Sequence, residues 1–182
     1  WTPGIDDGGK RPVMVWLHGG GFSAGSSAEI FAYDGANLSR EGDVVVVSVN
    51  HRLNVLGHFD LSAYGEKYRN ADNVGIYDLV DALRWVRDNI AQFGGDPANV
   101  TIFGESGGGA KVLALMTTPY AKGLFHKGIV ESGAAPTMGP VFMPKEAAAR
   151  VTELTLEKLG ITAERIEEIQ TIPYEHLTTA SN

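Results

Sequence analysis

The stretch VTIFGESGGGAKVLALM, residues 100–116, joins two hydrophobic patterns at a turn rich in glycine. Residues 100–103 form a short apolar run typical of a buried strand, whereas residues 110–116 have helical spacing. The motif between them, GESGG at residues 104–108, matches Gly-x-Ser-x-Gly. A serine between an entering strand and a leaving helix sits on a strained turn that lifts its hydroxyl above the sheet. This context predicts a nucleophile at Ser106, and it predicts glycines on either side because side chains there would collide with the neighbouring strand and helix.

Three more apolar runs, residues 13–17, 44–49 and 128–130, are continuous rather than alternating. Continuous runs are typical of strands buried on both faces of a parallel sheet. Between residues 76 and 93, apolar residues recur at steps of three and four, which predicts a helix that ends at Gly94-Gly95. Strands that alternate with helices predict an α/β fold with a mostly parallel central sheet and flanking helices.

Residues 144–170 have a different pattern, rich in Ala, Glu and Lys, with Pro144 at a helix start and Gly160 as a break. Another short helical stretch follows Ile172-Pro173. We therefore expect a sheet core over residues 1–140 and the beginning of a helical insertion over residues 141–182.

A second glycine-rich segment, HGGG at residues 18–21, directly follows the first predicted strand. Without side chains, consecutive backbone N–H groups in this glycine loop can converge on one oxygen atom, as acyl transfer requires. The N–H of Gly107, at the start of the helix after Ser106, would be a further donor to that oxyanion.

Two competing interpretations concern the same loop. The segment GFSAG, residues 21–25, also matches Gly-x-Ser-x-Gly, but no helical pattern follows Ser23, which favours a loop serine. Gly19-x-Gly21-x-x-Ala24 loosely matches a dinucleotide-binding fingerprint, but the next strand ends in Val49-Asn50 without an acidic residue. The sequence therefore favours an oxyanion-binding loop over a dinucleotide site.

The composition of the 182 residues excludes several classes of function. A formal net charge of −7 argues against nucleic acid or an anionic membrane as partner, and no apolar run approaches a membrane span. The chain has no cysteine, and its histidines and carboxylates lack metal-ligand spacing, so we expect no metal and no cofactor. The absence of cysteine fits a reducing compartment, but the sequence does not assign the protein to one.

Four stretches resemble the type B carboxylesterases, the family of para-nitrobenzyl esterases and cholinesterases, in that family's order. They are PVMVWLHGGGFSAGSS (residues 12–27), NHRLNVLGHF (50–59), NVGIYDLVDALRWVRDNIAQFGGDPANVTIFGESGGGAKV (73–112) and GLFHKGIVESG (123–133). The resemblance implies the N-terminal part of an α/β-hydrolase fold. It also implies Ser106 as nucleophile and an oxyanion hole lined by Gly20, Gly21 and Gly107. Gly107 departs from the alanine usual at its position, which keeps the N–H donor but loosens the backbone.

The resemblance also suggests roles for three other residues. Glu105 resembles an acidic residue that faces the family's pocket, although a hydrogen bond that stabilises the turn is an equal alternative. Ser132 resembles a serine that supports the family's site, or it merely ends a strand. His18 borders the glycine loop, and we expect it to orient that loop rather than to act as a base.

The residues present lead us to expect a serine carboxylic-ester hydrolase that acts on small esters through an acyl-enzyme. In this fold the acid and histidine follow the serine, yet His126 and His176 are the only downstream histidines and both have structural or surface contexts. We therefore expect an internal fragment that needs the C-terminal remainder of the enzyme, because a serine without a base is a weak nucleophile. Alone it should hydrolyse esters negligibly and expose an unpaired sheet edge. The alternative is a non-catalytic, cholinesterase-like binding or adhesion protein on the same fold.

Overall fold

The computed structural model describes residues 1–133 and 143–182 and contains a parallel sheet of four strands. The strands lie in the order β2-β1-β3-β4, and every neighbouring pair is parallel. The strands are β1 (Arg11–Leu17), β2 (Val45–Val49), β3 (Gly95–Glu105) and β4 (Lys127–Glu131). The predicted α/β fold with a parallel sheet is confirmed.

Helices connect and follow the strands. They are α1 (Ala36–Gly42), α2 (Asn54–Gly57), α3 (Val74–Asn89), α4 (Gly107–Thr117), α5 (Lys145–Leu159) and α6 (Tyr174–Ser181). A 3₁₀ turn, Ile90–Phe93, extends α3 until Gly94, whose φ of 75° suits a residue without a side chain. A longer 3₁₀ segment, Ala163–Thr171, separates α5 from α6.

Strand β3 is longer than its apolar run predicted. It begins at Gly95, five residues before Val100, and Gly95 pairs with Arg11 across a register shift. The added residues 96–99 are polar or small, so hydrophobic pattern alone could not identify them as strand.

The core beside the sheet comes from the residues that the periodicity singled out. On α3, Leu79, Val80, Leu83 and Val86 are at most 1% exposed and pack in one cluster with the apolar residues of β1 and β3. Spacing of three and four places these four side chains on one face of the helix. The pattern of α3 therefore predicted its buried face correctly.

The chain divides into two compact units. Within the described residues, the first comprises 1–51 and 76–133, and the second comprises 52–75 and 143–182. The second unit has its own apolar core, formed by Phe59, Leu61, Leu156, Ile161, Ile166, Ile169 and Leu177. The boundary expected between residues 140 and 141 lies outside the described residues. Within residues 1–133 and 143–182, no helix has the length and apolar character needed to cross a bilayer.

Candidate active site

Ser106 occupies the turn between the end of β3 and the first residue of α4. Its backbone has φ 55° and ψ −117°, a conformation that a residue with a side chain rarely adopts. Such strain costs about 1–3 kcal/mol and persists only where the surroundings enforce it. Here the Ser106 N–H donates to the carbonyl oxygen of Glu131 at 2.8 Å, and the Ser106 carbonyl accepts from Ala110 N–H at 3.2 Å. Hydrogen bonds to β4 and to α4 therefore hold the turn in place.

Glycines around this turn are required by close backbone packing. A Cβ atom on Gly104 would lie 2.6 Å from the carbonyl oxygen of Leu17, the last residue of β1. A Cβ on Gly108 would overlap that same oxygen, and one on Gly109 would overlap the carbonyl oxygen of Ser132. The helix can start this close to the strands only because these positions lack side chains.

The glycine loop lies against the Ser106 turn, although the two are far apart in the sequence. A Cβ on Gly107 would lie 2.5 Å from the Cα of Gly21. A Cβ on Gly19 would lie 3.6 Å from the Cβ of Ser106. Gly21 has φ 65°, which suits glycine. The structure thus brings together Gly19, Gly21, Ser106 and Gly107.

Gly20 has a different nearest neighbour. Its φ is 80°, and a Cβ there would overlap the carbonyl oxygen of Ala24. The Ala24 N–H donates to the Gly20 carbonyl oxygen at 3.2 Å, so the loop turns back on itself just after the glycines. This turn makes Gly20 a necessary glycine of the loop.

His18, at the beginning of the glycine loop, is 1% exposed. Its Nδ1 lies 2.9 Å from the Gly19 carbonyl oxygen, so this nitrogen carries the proton and donates it. The ring stacks on that of His51, with centroids 5.0 Å apart and planes at 17°. Burial lowers the pKa of the His18 imidazole, and the charge of Lys111 lowers that pKa further. His18 is therefore neutral, and its ring is held by a hydrogen bond to the loop backbone and by stacking on His51.

Lys111 is the residue of this region that the sequence reasoning missed. It lies on α4 and is 0% exposed, with its Nζ 2.9 Å from the carbonyl oxygen of His18. The signal was available, because Lys111 is the charged residue in a helix whose other members, Gly107 to Thr117, are small, apolar or threonine. Lysine is almost never fully buried without a partner, so a lysine in such a helix marks a special contact.

Comparisons with known proteins show the family of this chain. The model of the carboxylesterase family matches residues 1–182. This chain belongs to the carboxylesterase family. It is 47% identical over 171 residues to the para-nitrobenzyl esterase of Bacillus subtilis (strain 168), an alignment that covers 94% of this chain and 33% of that protein. It is 40% identical over 177 residues to the phenmedipham hydrolase of Pseudarthrobacter oxydans, covering 97% of this chain and 33% of that one.

A solved structure extends the agreement to the fold of this carboxylesterase-family chain. An esterase from the anaerobe Clostridium hathewayi, described as able to hydrolyse aliphatic aromatic polyesters, superimposes with a TM-score of 0.93 at 52% identity. The match covers 99% of this chain and 36% of that structure. The α/β-hydrolase fold and the resemblance to para-nitrobenzyl esterases are thereby confirmed. The chain spans about a third of the length of these two curated relatives.

Glu105 and Ser132 lie at the same edge of the sheet as Ser106. Glu105 is the last residue of β3, pairs with Glu131 of β4, and is exposed. A Cβ on Gly19 would lie 3.2 Å from Glu105 Oε2, so the carboxylate borders the glycine loop. Ser132 directly follows β4, is exposed, and has a φ of 64°. Both residues are near the candidate site, and their roles stay predictions.

The other candidate residues have contexts of a different kind. The backbone N–H of Val100 donates to the ring Nδ1 of His126 at 3.1 Å. The backbone N–H of His126 donates in turn to the Val100 carbonyl oxygen at 2.8 Å. His126 thus ties β3 to the start of β4. His176 is exposed on α6 in the second unit. Ser23 is exposed in a turn outside the helices and strands. In the described part of the chain, no cluster of His, Asp and Glu could hold a metal ion.

Proposed function

We propose that the full-length protein hydrolyses carboxylic esters through an acyl-enzyme at Ser106. The Oγ of Ser106 attacks the ester carbonyl carbon as its proton passes to a general base. The tetrahedral oxyanion accepts hydrogen bonds from the backbone N–H groups of Gly20, Gly21 and Gly107. The carbon–oxygen bond to the alcohol then breaks, the base returns the proton to the alcohol, and water releases the acid from Ser106.

One observation carries the proposal: Gly21 and Gly107 approach each other beside Ser106. Two backbone segments that supply N–H donors thus meet next to a strained serine at the end of a strand. Fixed donors of this kind stabilise charge that develops in the transition state, and the loss of one typically costs about 3–4 kcal/mol. The ester-hydrolase names of the relatives support the same class of reaction.

The general base and its carboxylate are assigned to residues that follow Asn182 in the full-length protein. In the α/β-hydrolase order the acid and the histidine come after the serine. Neither His126, whose Nδ1 accepts a backbone N–H, nor the exposed His176 has the setting of a base. Residues 1–182 alone are therefore proposed to hydrolyse esters negligibly, because an unassisted serine is a weak nucleophile.

The test uses the full-length protein, a fluorophosphonate probe and a p-nitrophenyl ester. Wild type should be labelled and should release p-nitrophenol, and Ser106→Ala should abolish both. Ser23→Ala is the matched control, since Ser23 stands in the same Gly-x-Ser-x-Gly pattern but in an exposed turn, and it should retain both signals. Labelling that survives Ser106→Ala contradicts the assignment. A wild type that is neither labelled nor active indicates a non-catalytic binding protein instead.

A further inference from the structure

Lys111 is a buried charge that the proposed chemistry does not use. Its side chain is 0% exposed, within a helix in which Gly107 to Val112 are all buried. Removing an ammonium group from water is costly unless hydrogen bonds replace the lost hydration. No carboxylate among residues 1–133 and 143–182 contributes to the pKa of Lys111, as a paired carboxylate would. The presence of a buried lysine at this position therefore needs an explanation.

The contacts of Lys111 are made with both ends of the glycine loop. Its Nζ donates to the carbonyl oxygen of His18, the first residue of the loop, at 2.9 Å. The same ammonium lies 5.8 Å from the centroid of the Phe22 ring, the residue just after the loop. A cation over an aromatic face is attracted to the negative potential of the ring. One side chain thus contacts the residues on either side of Gly19-Gly20-Gly21.

The position of Lys111 on α4 connects this contact to the Ser106 turn. Residues four apart lie on the same helix face, so Lys111 is on the face of α4 that begins with Gly107. Gly107 in turn packs against Gly21. Loop glycines have no side chains that could hold them in place, and glycine is the residue with the most backbone freedom to lose. A contact from α4 to the start of the loop therefore limits how far the loop can move from Gly107.

We propose that Lys111 is a positioning residue, which holds the glycine loop against the amino end of α4 so that the loop and Gly107 present their N–H groups together. This inference rests on the proposed function and goes beyond it, because Lys111 touches neither the ester nor Ser106. Its ammonium acts through the His18 carbonyl and the Phe22 ring.

The charge state of Lys111 gives the proposal a pH signature. Burial lowers the pKa of Lys111 to about 8. The titratable groups at the carboxyl ends of the strands packed against α4 are the buried His18 and the exposed carboxylates of Glu105 and Glu131. A charged donor makes a hydrogen bond roughly twice as strong as a neutral one. The hydrogen bond from Lys111 to the His18 carbonyl oxygen is therefore strongest below pH 8. It weakens as the pH rises through about 8 and the ammonium loses its charge.

The experiment compares Lys111→Met with Lys127→Met in the full-length protein, by steady-state hydrolysis of a p-nitrophenyl ester. Methionine is unbranched like lysine and only one atom shorter, but its side chain cannot donate a hydrogen bond. We expect kcat to fall about 10- to 100-fold, as for a small misplacement of catalytic groups, with KM changed less than about threefold. Lys127 lies on β4, is exposed, and donates to Asn99 Oδ1, so its variant should match wild type.

The pH profile of kcat is the second measurement. Wild type should lose activity as the pH rises through about 8, and Lys111→Met should lack this alkaline decline. Lys111→Arg keeps a charged donor at high pH, so it should retain more activity than Lys111→Met and also lack the decline. If Lys111→Met does not fold, the wild-type and arginine profiles make the same test.

Two results would overturn the positioning role: a folded Lys111→Met with the wild-type kcat, or a wild-type kcat that stays flat from pH 7 to 10. Either result leaves the proposed function standing if Ser106→Ala is inactive. Activity that survives Ser106→Ala would instead remove the proposed function itself.

Discussion

At the scale of single residues, a Cβ atom at position 108 would overlap the carbonyl oxygen of Leu17, and one at position 107 would crowd Gly21. Both neighbours are backbone atoms that belong to β1 or to the glycine loop, so they cannot rotate away as a flexible side chain would. The consecutive glycines 107–109 therefore determine how close α4 can come to the sheet and to the loop. Ser106 is kept in its strained conformation by this close packing.

The substitution Gly108→Ala tests this steric requirement. Helix propensity alone would make alanine inside a helix more stable than glycine by about 1 kcal/mol. Because the added methyl group would overlap Leu17, we expect the opposite sign, a loss of about 2 kcal/mol in the free energy of unfolding measured with urea.

Gly123→Ala is the control for Gly108→Ala. Gly123 has φ 78° but no atom within 4 Å of an added Cβ, so only backbone strain of about 1 kcal/mol applies. A Gly108→Ala protein as stable as wild type would show that α4 can move away from β1.

At the scale of elements, α3 and α4 flank the sheet in different ways. Helix α3 buries one face, with Leu83 1% exposed, and leaves charged residues such as Arg84 on the other. In α4, eight of the eleven residues are buried, including Gly107 and Lys111. A helix with a single buried face contributes mainly apolar packing, whereas a helix buried on most sides can carry functional groups within the protein.

Leu83→Ala tests the contribution of the buried face of α3. We expect the free energy of unfolding to fall by about 2–5 kcal/mol, the range for leucines removed from a packed core. Leu38→Ala on α1 makes the same chemical change at a side chain that is 40% exposed, and it should cost well under half as much. Equal losses of stability for the two variants would contradict the burial seen for Leu83.

At the scale of the whole molecule, each of the two compact units is assembled from segments far apart in the chain. In the second unit, Thr152 on α5 is 1% exposed and its Oγ1 donates to the carbonyl oxygen of Asp60 at 2.7 Å. This bond joins residues 92 positions apart. A buried carbonyl that loses its donor costs about 1–3 kcal/mol, so this bond stabilises the pairing of the two segments.

Thr152→Val keeps the shape of the side chain and removes the donor. We expect the free energy of unfolding to fall by about 1–3 kcal/mol, measured by denaturant titration. Thr155→Val is the matched control: Thr155 is also 1% exposed, but its Oγ1 donates to Val151, whose carbonyl already accepts a backbone N–H within α5. A loss for Thr155→Val as large as that for Thr152→Val would indicate that the Asp60 contact contributes nothing of its own.

The sequence by itself determined the alternation of strands and helices, the buried face of α3 and the turn that carries Ser106. These features depend on residue types at spacings of one to four, because backbone geometry repeats over that range. The start of β3 at Gly95 escaped prediction, since residues 96–99 have no apolar pattern and become strand only by pairing with a neighbour.

Only the tertiary structure decided that Gly21 lies against Gly107 and that the Lys111 ammonium reaches the His18 carbonyl. The members of each pair are more than 80 residues apart, and their separation is set by how β1, β3 and α4 pack together. Packing depends on the shapes of many side chains at once, so no local pattern specifies it. The pattern of glycines and the family resemblance therefore led us to expect the loop and the turn beside one another, whereas the atomic contact between Gly21 and Gly107, and the buried lysine nearby, required the folded chain.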